Sequence, residues 1–131
     1  MDVLTTKRFE FSAAHRYWNP TWSEEQNQAI FGKCTNPHGH GHNYVLYVTV
    51  AGQVDPATGM VINITDLKRI VNGVLEQFDH KHLNEDTPYF REQQPTTENL
   101  VRVLWGLIAS ALPAQVRLYR LRLYDCLLYT S

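Results

Sequence analysis

The stretch Cys34-Thr35-Asn36-Pro37-His38-Gly39-His40-Gly41-His42-Asn43-Tyr44-Val45-Leu46-Tyr47-Val48-Thr49-Val50-Ala51-Gly52 joins a set of metal-type ligands to a run of alternating apolar residues. In extended chain, residues two apart point to the same face. Tyr44, Leu46, Val48 and Val50 therefore share one face of a strand predicted over 43–52. His40 and His42 enter that strand at the same parity, so both rings aim at one point. A strand offers two nitrogen ligands to a divalent metal in this way, most often to zinc. A further ligand is found in the run Phe9-Glu10-Phe11-Ser12-Ala13-Ala14-His15, where Phe9, Phe11, Ala13 and His15 share one parity. His15 closes the inward face of that run. A lone histidine is more often a surface or core residue than a ligand. Here four of six fall near two strand ends, and the glycine and asparagine between them are not those of a terminal tag. On pattern alone, which three of His15, His38, His40 and His42 bind stays open, because His38 follows Pro37 and suits a turn.

Outward from this stretch, the first strand is predicted over 5–13. Trp18 to Lys33 is polar and without clear period, a loop with a short helix near Ser23-Glu24-Glu25-Gln26. Asp55-Pro56-Ala57-Thr58-Gly59 is a turn, because proline presets φ and glycine tolerates positive φ. Met60 to Ile64 then reads as a third strand pairing back. A helix begins near Thr65 or Asp66, both good caps, and carries the stripe Leu67, Ile70, Val71, Val74, Leu75, Phe78. A second helix opens at Pro95-Thr96-Thr97-Glu98 and ends before Pro113, with Leu100, Leu104, Leu107, Ile108 and Ala111 on one side. The last strand runs from Val116 to Tyr124, with arginines recurring along it. The order implies an α+β fold, an antiparallel sheet with helices on one face. Two open sheet edges favour an oligomer that pairs them.

Composition narrows the function classes. The 131 residues suit one domain with one core. An apolar fraction of 44% and a charged fraction of 19% are those of a globular protein. A net charge of −1 offers no electrostatic case for nucleic acid or a membrane surface. No apolar run reaches transmembrane length, and nothing before Phe9 reads as a signal peptide. Cys34 and Cys126 are too few for a disulfide scaffold, so a cytoplasmic protein with reduced thiols is expected.

Three more places carry chemistry. Asp79 beside His80 can set an imidazole's tautomer or basicity, although the end of a helix also favours cations there. Cys34, close to the histidines, is either a buried small hydrophobe or a reactive thiolate. Glu98 is either a site residue or a first-turn acid favoured by the helix dipole.

The motifs Phe-Ser-Ala-Ala-His, Cys-x5-His-Gly-His-Asn-Tyr, Asp-His-Lys-x-Leu-Asn and Pro-Thr-Thr-Glu-Asn together make the chain resemble the 6-pyruvoyltetrahydropterin and 6-carboxytetrahydropterin synthase family, from Phe9 to about Tyr124. The resemblance implies the tunnelling fold: a four-stranded antiparallel sheet carrying two antiparallel helices on one face. Subunits of that fold close into trimers, and two trimers stack into a hexamer with active sites between subunits. It implies Zn²⁺ held by His15, His40 and His42, with Cys34 as the catalytic base. Asp79 and His80 act with a neighbouring subunit's cysteine, and Thr97 and Glu98 lie at the pterin end of the pocket. The substrate implied is 7,8-dihydroneopterin triphosphate, whose side-chain protons a Lewis-acid metal acidifies. Loss of triphosphate gives 6-pyruvoyltetrahydropterin, for tetrahydrobiopterin. Loss of acetaldehyde gives 6-carboxytetrahydropterin, for queuosine.

One departure stands out. The family's pterin-anchoring glutamate, in a Leu-Tyr-Glu context, is matched here by Asp125 in Leu123-Tyr124-Asp125, one methylene shorter. The residues from about 126 do not resemble the family's ending and are expected to be non-native or truncated. A reading of another class is a non-catalytic module built on structural zinc, with Cys34 or His38 as a fourth ligand. Structural sites are closed by four protein ligands, whereas catalytic ones keep a position open.

Overall fold

The longest interaction in the computed structural model, which describes residues 1–127, is the pairing of two strands of equal length. Strand β1 (Val3–His15) lies antiparallel to β2 (His40–Gly52). The pairs Phe9↔Leu46, Phe11↔Tyr44, Ala13↔His42 and His15↔His40 fall on one face. Both strands begin or end beyond the 5–13 and 43–52 predicted, because pairing carries the extended backbone through the histidines. Strand β4 (Val116–Leu127) lies antiparallel on the other side of β2. Its register shifts between Thr49 and Val50, so Val116 and Leu118 and then Leu121 and Leu123 face the core across a bulge. Of the tail expected to be non-native, Cys126 and Leu127 continue β4, and 128–131 lie outside the described residues.

The α+β architecture is as expected: a four-stranded, mostly antiparallel sheet in which a short edge strand β3 (Lys81–His82) is followed by β1, β2 and β4. The identity of one strand differs. Met60 to Ile64 is not a strand. Asp55 and Met60 form an isolated bridge that closes the turn, and Asn63 then caps helix α2 (Ile64–Leu75), its side chain accepting from the Thr65 N–H. The helix thus starts just before the expected Thr65 or Asp66. The apolar signal of Val61 and Ile62 comes from burial against the core without strand pairing. The fourth strand is β3, only Lys81–His82, parallel to Ala13 and Ala14 on the outer edge of β1. A one-turn helix α3 (Leu83–Asp86) follows it.

Helices α2 and α4 (Thr97–Ala111) bury most of the predicted stripes, with Leu67, Val71, Leu100, Leu104 and Ile108 inaccessible to solvent beside Phe11, Tyr44, Leu46 and Val48, while Ile70 and Leu107 are half-buried and Ala111, expected on the same side, is exposed at the helix end. No helix among the described residues is long and apolar enough to cross a membrane.

The segment between β1 and β2 is more ordered than its composition suggests. Ser23 caps helix α1 (Glu24–Phe31) in a reciprocal box with Gln26. Buried Asn27 accepts from the Asn19 N–H and donates to the Asn19 and Ser23 carbonyls, holding the loop to its own helix. Asn84 and Gln94 bind the backbones of Arg16 and Trp18 as a neighbouring strand would, each giving and taking one hydrogen bond. A 3-10 turn (Gly32–Thr35) delivers Cys34.

Gly39 turns the chain into β2 at φ +72°. A Cβ there would lie 2.7 Å from His82 Nε2 and 2.9 Å from the His15 carbonyl oxygen. Gly59 has the same φ, but a Cβ there would meet nothing within 4 Å, which makes it an internal control. Gly59→Ala is expected to cost about 1–2 kcal/mol, the penalty of left-handed backbone for an L-residue. Gly39→Ala is expected to cost more, because backbone must also move. Urea unfolding of both variants checks this, and equal losses would contradict it.

Candidate metal centre

The core face of the β1–β2 pair ends in imidazoles instead of aliphatic side chains. Ala13 leaves room beside His42, and His15 and His40 face each other on the last rung. His15 and His42 are buried and stack with ring centroids 4.0 Å apart. Tyr17 stacks on His15 at 4.4 Å, and its N–H donates to the Cys34 carbonyl, which draws the 3-10 turn onto the cluster.

Nδ1 is engaged by the protein in two of the three rings. His42 Nδ1–H donates to Asp125 Oδ1 at 2.6 Å, and His15 Nδ1 lies 3.0 Å from the Tyr44 hydroxyl. Their Nε2 atoms are thereby turned inward. His42 Nε2 is 3.0 Å from His40 Nε2, and Cys34 Sγ is 3.1 Å from His40 Nε2 and 3.8 Å from His15 Nε2. The four ligand atoms lie within 4.8 Å of one another.

This donor set fits a metal. A carboxylate can only accept, so Nδ1 of His42 carries the hydrogen of this bond and Nε2 is the nitrogen left to face a metal. Nitrogens about 2.0–2.1 Å from one tetrahedral ion lie about 3.3 Å apart, close to the separation seen. Burial, then the neighbouring His42, pushes His15 down to about 3, so its ring is neutral at ordinary pH. The same two causes lower His40. Burial and then Asp125 raise the Cys34 thiol, and burial keeps Tyr17 and Tyr44 as phenols.

Comparison with known proteins bears on what such a centre serves. The family model described as 6-pyruvoyl tetrahydropterin synthase matches residues 4–126. The chain belongs to the 6-pyruvoyl tetrahydropterin synthase family. It is 46% identical over 125 residues to the 6-pyruvoyl tetrahydrobiopterin synthase of Homo sapiens, covering 95% of this chain and 86% of that protein. It is 44% identical over 124 residues to that of Drosophila melanogaster, covering 94% and 74%. The solved 6-pyruvoyl tetrahydropterin synthase of Caenorhabditis elegans superposes with a TM-score of 0.81 at 33% identity, covering 95% and 96%. The chain is an enzyme, a lyase of the 6-pyruvoyl tetrahydropterin synthase type.

The remaining candidates are placed as follows. Cys34 joins the histidine cluster. His38 is exposed on the preceding turn, its N–H donating to Asn36 Oδ1, and stands outside the cluster. Asp79 and His80 sit at the edge of β1. Ser12 N–H donates to Asp79 Oδ1, His80 N–H donates to the Ser12 carbonyl, and the two side chains are 3.0 Å apart. His80 adopts φ 59° with its ring exposed, and among the described residues no hydrogen bond or ring contact joins this pair to Cys34 or the three histidines. Thr97 and Glu98 lie in the first turn of α4, which Thr96 caps. Glu98 is exposed, and its charge contributes to raising Tyr17, the ring stacked on His15.

Sequence reasoning missed Tyr17, His82, Asn84 and Gln94. The sequence places Tyr44 on one strand face with Leu46, Val48 and Val50, and that parity, shared with His40 and His42, is the signal that it reaches the cluster. His82 is the fourth residue in Asp-His-Lys-His, and both its ring nitrogens are buried without a partner among the described residues.

The lowered His15 value sets an acid limit for metal-free protein. Between pH 6.5 and about 3 the unfolded chain takes a proton at this ring that the folded chain refuses. Stability is therefore expected to fall as pH falls through that window, by up to about 1.4 kcal/mol per pH unit from this group. Denaturant titrations of chelator-treated protein should show a shallower slope for His15→Gln than for wild type. Parallel slopes would contradict the assignment.

Proposed function

We propose that this chain is a zinc-dependent lyase converting 7,8-dihydroneopterin triphosphate to 6-pyruvoyltetrahydropterin, a step toward tetrahydrobiopterin. The observation that carries the reading is the convergence of three Nε2 atoms and one thiol on a single point. The names of the relatives, 6-pyruvoyl tetrahydrobiopterin synthases, support this product over 6-carboxytetrahydropterin. In the reaction triphosphate leaves, the side chain is oxidised and the ring is reduced, so no outside oxidant is needed.

His15, His40 and His42 would hold the zinc. When bound, zinc supplies Lewis acidity at the substrate's side chain. Cys34, beside that charge, takes the proton from the side-chain carbon; burial raises its thiol, and a bound cation would favour the thiolate. Asp79 fixes the orientation of His80, which exchanges protons through its outward nitrogen. Thr97, Glu98 and Oδ2 of Asp125 hold the pterin. Among the described residues Asp79 and His80 make no hydrogen bond to Cys34, which supports the reading, implied by the family resemblance, that they serve the site of a second copy. Residues 1–131 would then form one domain of a cytoplasmic homo-hexamer, two trimers stacked.

A second reading has an observation of its own. Cys34 Sγ lies among the ligand atoms, as a fourth ligand of a closed structural site would. One variant separates the two. Cys34→Ala is expected to keep its zinc and its oligomeric state while turnover falls about 10²–10⁴-fold, the usual effect of losing a general base. Loss of zinc in that variant would favour the structural site, and wild-type turnover would remove Cys34 from the mechanism. Mass spectrometry of the product without a reductase checks the rest: a 6-pyruvoyl product and triphosphate are expected, whereas acetaldehyde would indicate the 6-carboxy product.

A further inference from the structure

The last described core-facing side chain of β4 is a carboxylate. Asp125 pairs with Tyr44 across the sheet, which makes His42 its diagonal neighbour on the same face. Oδ1 lies 2.6 Å from His42 Nδ1, with the two side chains 3% and 21% exposed. It is the burial of both groups that makes this a fixed contact, since the exposed Arg8–Glu10 pair is equally short. Tyr44, the residue opposite Asp125, reaches His15 Nδ1 with its hydroxyl from two rungs away on the same face. Among the described residues Asp125 Oδ2 has no partner, so Oδ1 alone is committed.

We propose that Asp125 is the positioning residue of the metal centre, fixing the ring plane and tautomer of His42 so that Nε2 faces the other ligands. The short side chain suits this task. An aspartate on β4 reaches the neighbouring strand directly, whereas an added methylene would carry the carboxylate past Nδ1. The role is additional to any contact that Oδ2 makes with the pterin, and it links occupancy of the pterin end to the geometry of one zinc ligand. The inference rests on the reading of His15, His40 and His42 as zinc ligands.

Zinc affinity, measured by competition with a chromophoric chelator, tests it without reference to turnover. Asp125→Ala is expected to weaken binding about 10–100-fold, the usual effect of losing a partner that orients a metal-bound histidine. Asp125→Asn, whose amide oxygen still accepts from Nδ1–H, should lose less, and Asp125→Leu, which offers no acceptor at similar volume, carries the test if the alanine variant fails to fold. In a His42→Ala background Asp125→Ala should have no further effect. Wild-type affinity in folded Asp125→Ala, or in Asp125→Leu where the alanine variant does not fold, would overturn the proposal. So would the same loss in the His42→Ala background, which would mean that Asp125 acts as a distant charge. A wild-type chain that takes up no zinc would instead overturn the metal centre itself.

Discussion

Everything at the candidate centre depends on the register between β1 and β2. The period of a strand is two, so a slip of one residue would send Phe9, Phe11 and Ala13 to the open face and turn His15 away from His40 and His42. The same pairing that buries Phe11 against Tyr44 also places His42 beside Ala13 on the next rung of that face and sets His15 opposite His40 on the one after. Core and site are one continuous face, apolar under α2 and α4 and nitrogen-bearing at its end. The free energy of burying the aliphatic rungs thus holds the ligands in place, each large side chain contributing about 1.5–3 kcal/mol.

Register alone does not orient rings. Two oxygen atoms do that, the Tyr44 hydroxyl on Nδ1 of His15 and the Asp125 carboxylate on Nδ1 of His42. The turn bearing Cys34 is drawn in by the Tyr17 backbone, while Asn84 and Gln94 hold Arg16 and Trp18 on either side of that residue. The loop between the strands therefore works as a third wall. Its order comes from amide side chains that imitate a neighbouring strand where no strand is present.

The sequence made some of this legible and hid the rest for physical reasons. Parity exposed His15, His40 and His42, because alternation is a local property that any strand expresses. Helical spacing exposed both stripes for the same cause. Val61 and Ile62 misled, since an apolar pair after a turn looks alike whether it joins a sheet or only packs beneath a helix. The strand that does join, Lys81–His82, is too short to show a period and depends wholly on β1 for its conformation. The Asp125–His42 and Asn84–Arg16 contacts span 83 and 68 residues, a separation that no local pattern reports. Asp79 and His80 were legible as a motif, and their place at the exposed edge of β1 came only from the folded chain.

The central claim is that three imidazoles bind one metal and leave the thiol free to act. X-ray absorption at the zinc edge, on protein reconstituted with one equivalent of zinc, tests it most directly. The account predicts a shell of nitrogen or oxygen scatterers at about 2.0–2.1 Å with the multiple-scattering signature of histidine and no sulfur. A sulfur scatterer at about 2.3 Å would contradict it, because Cys34 would then be a ligand and not a base.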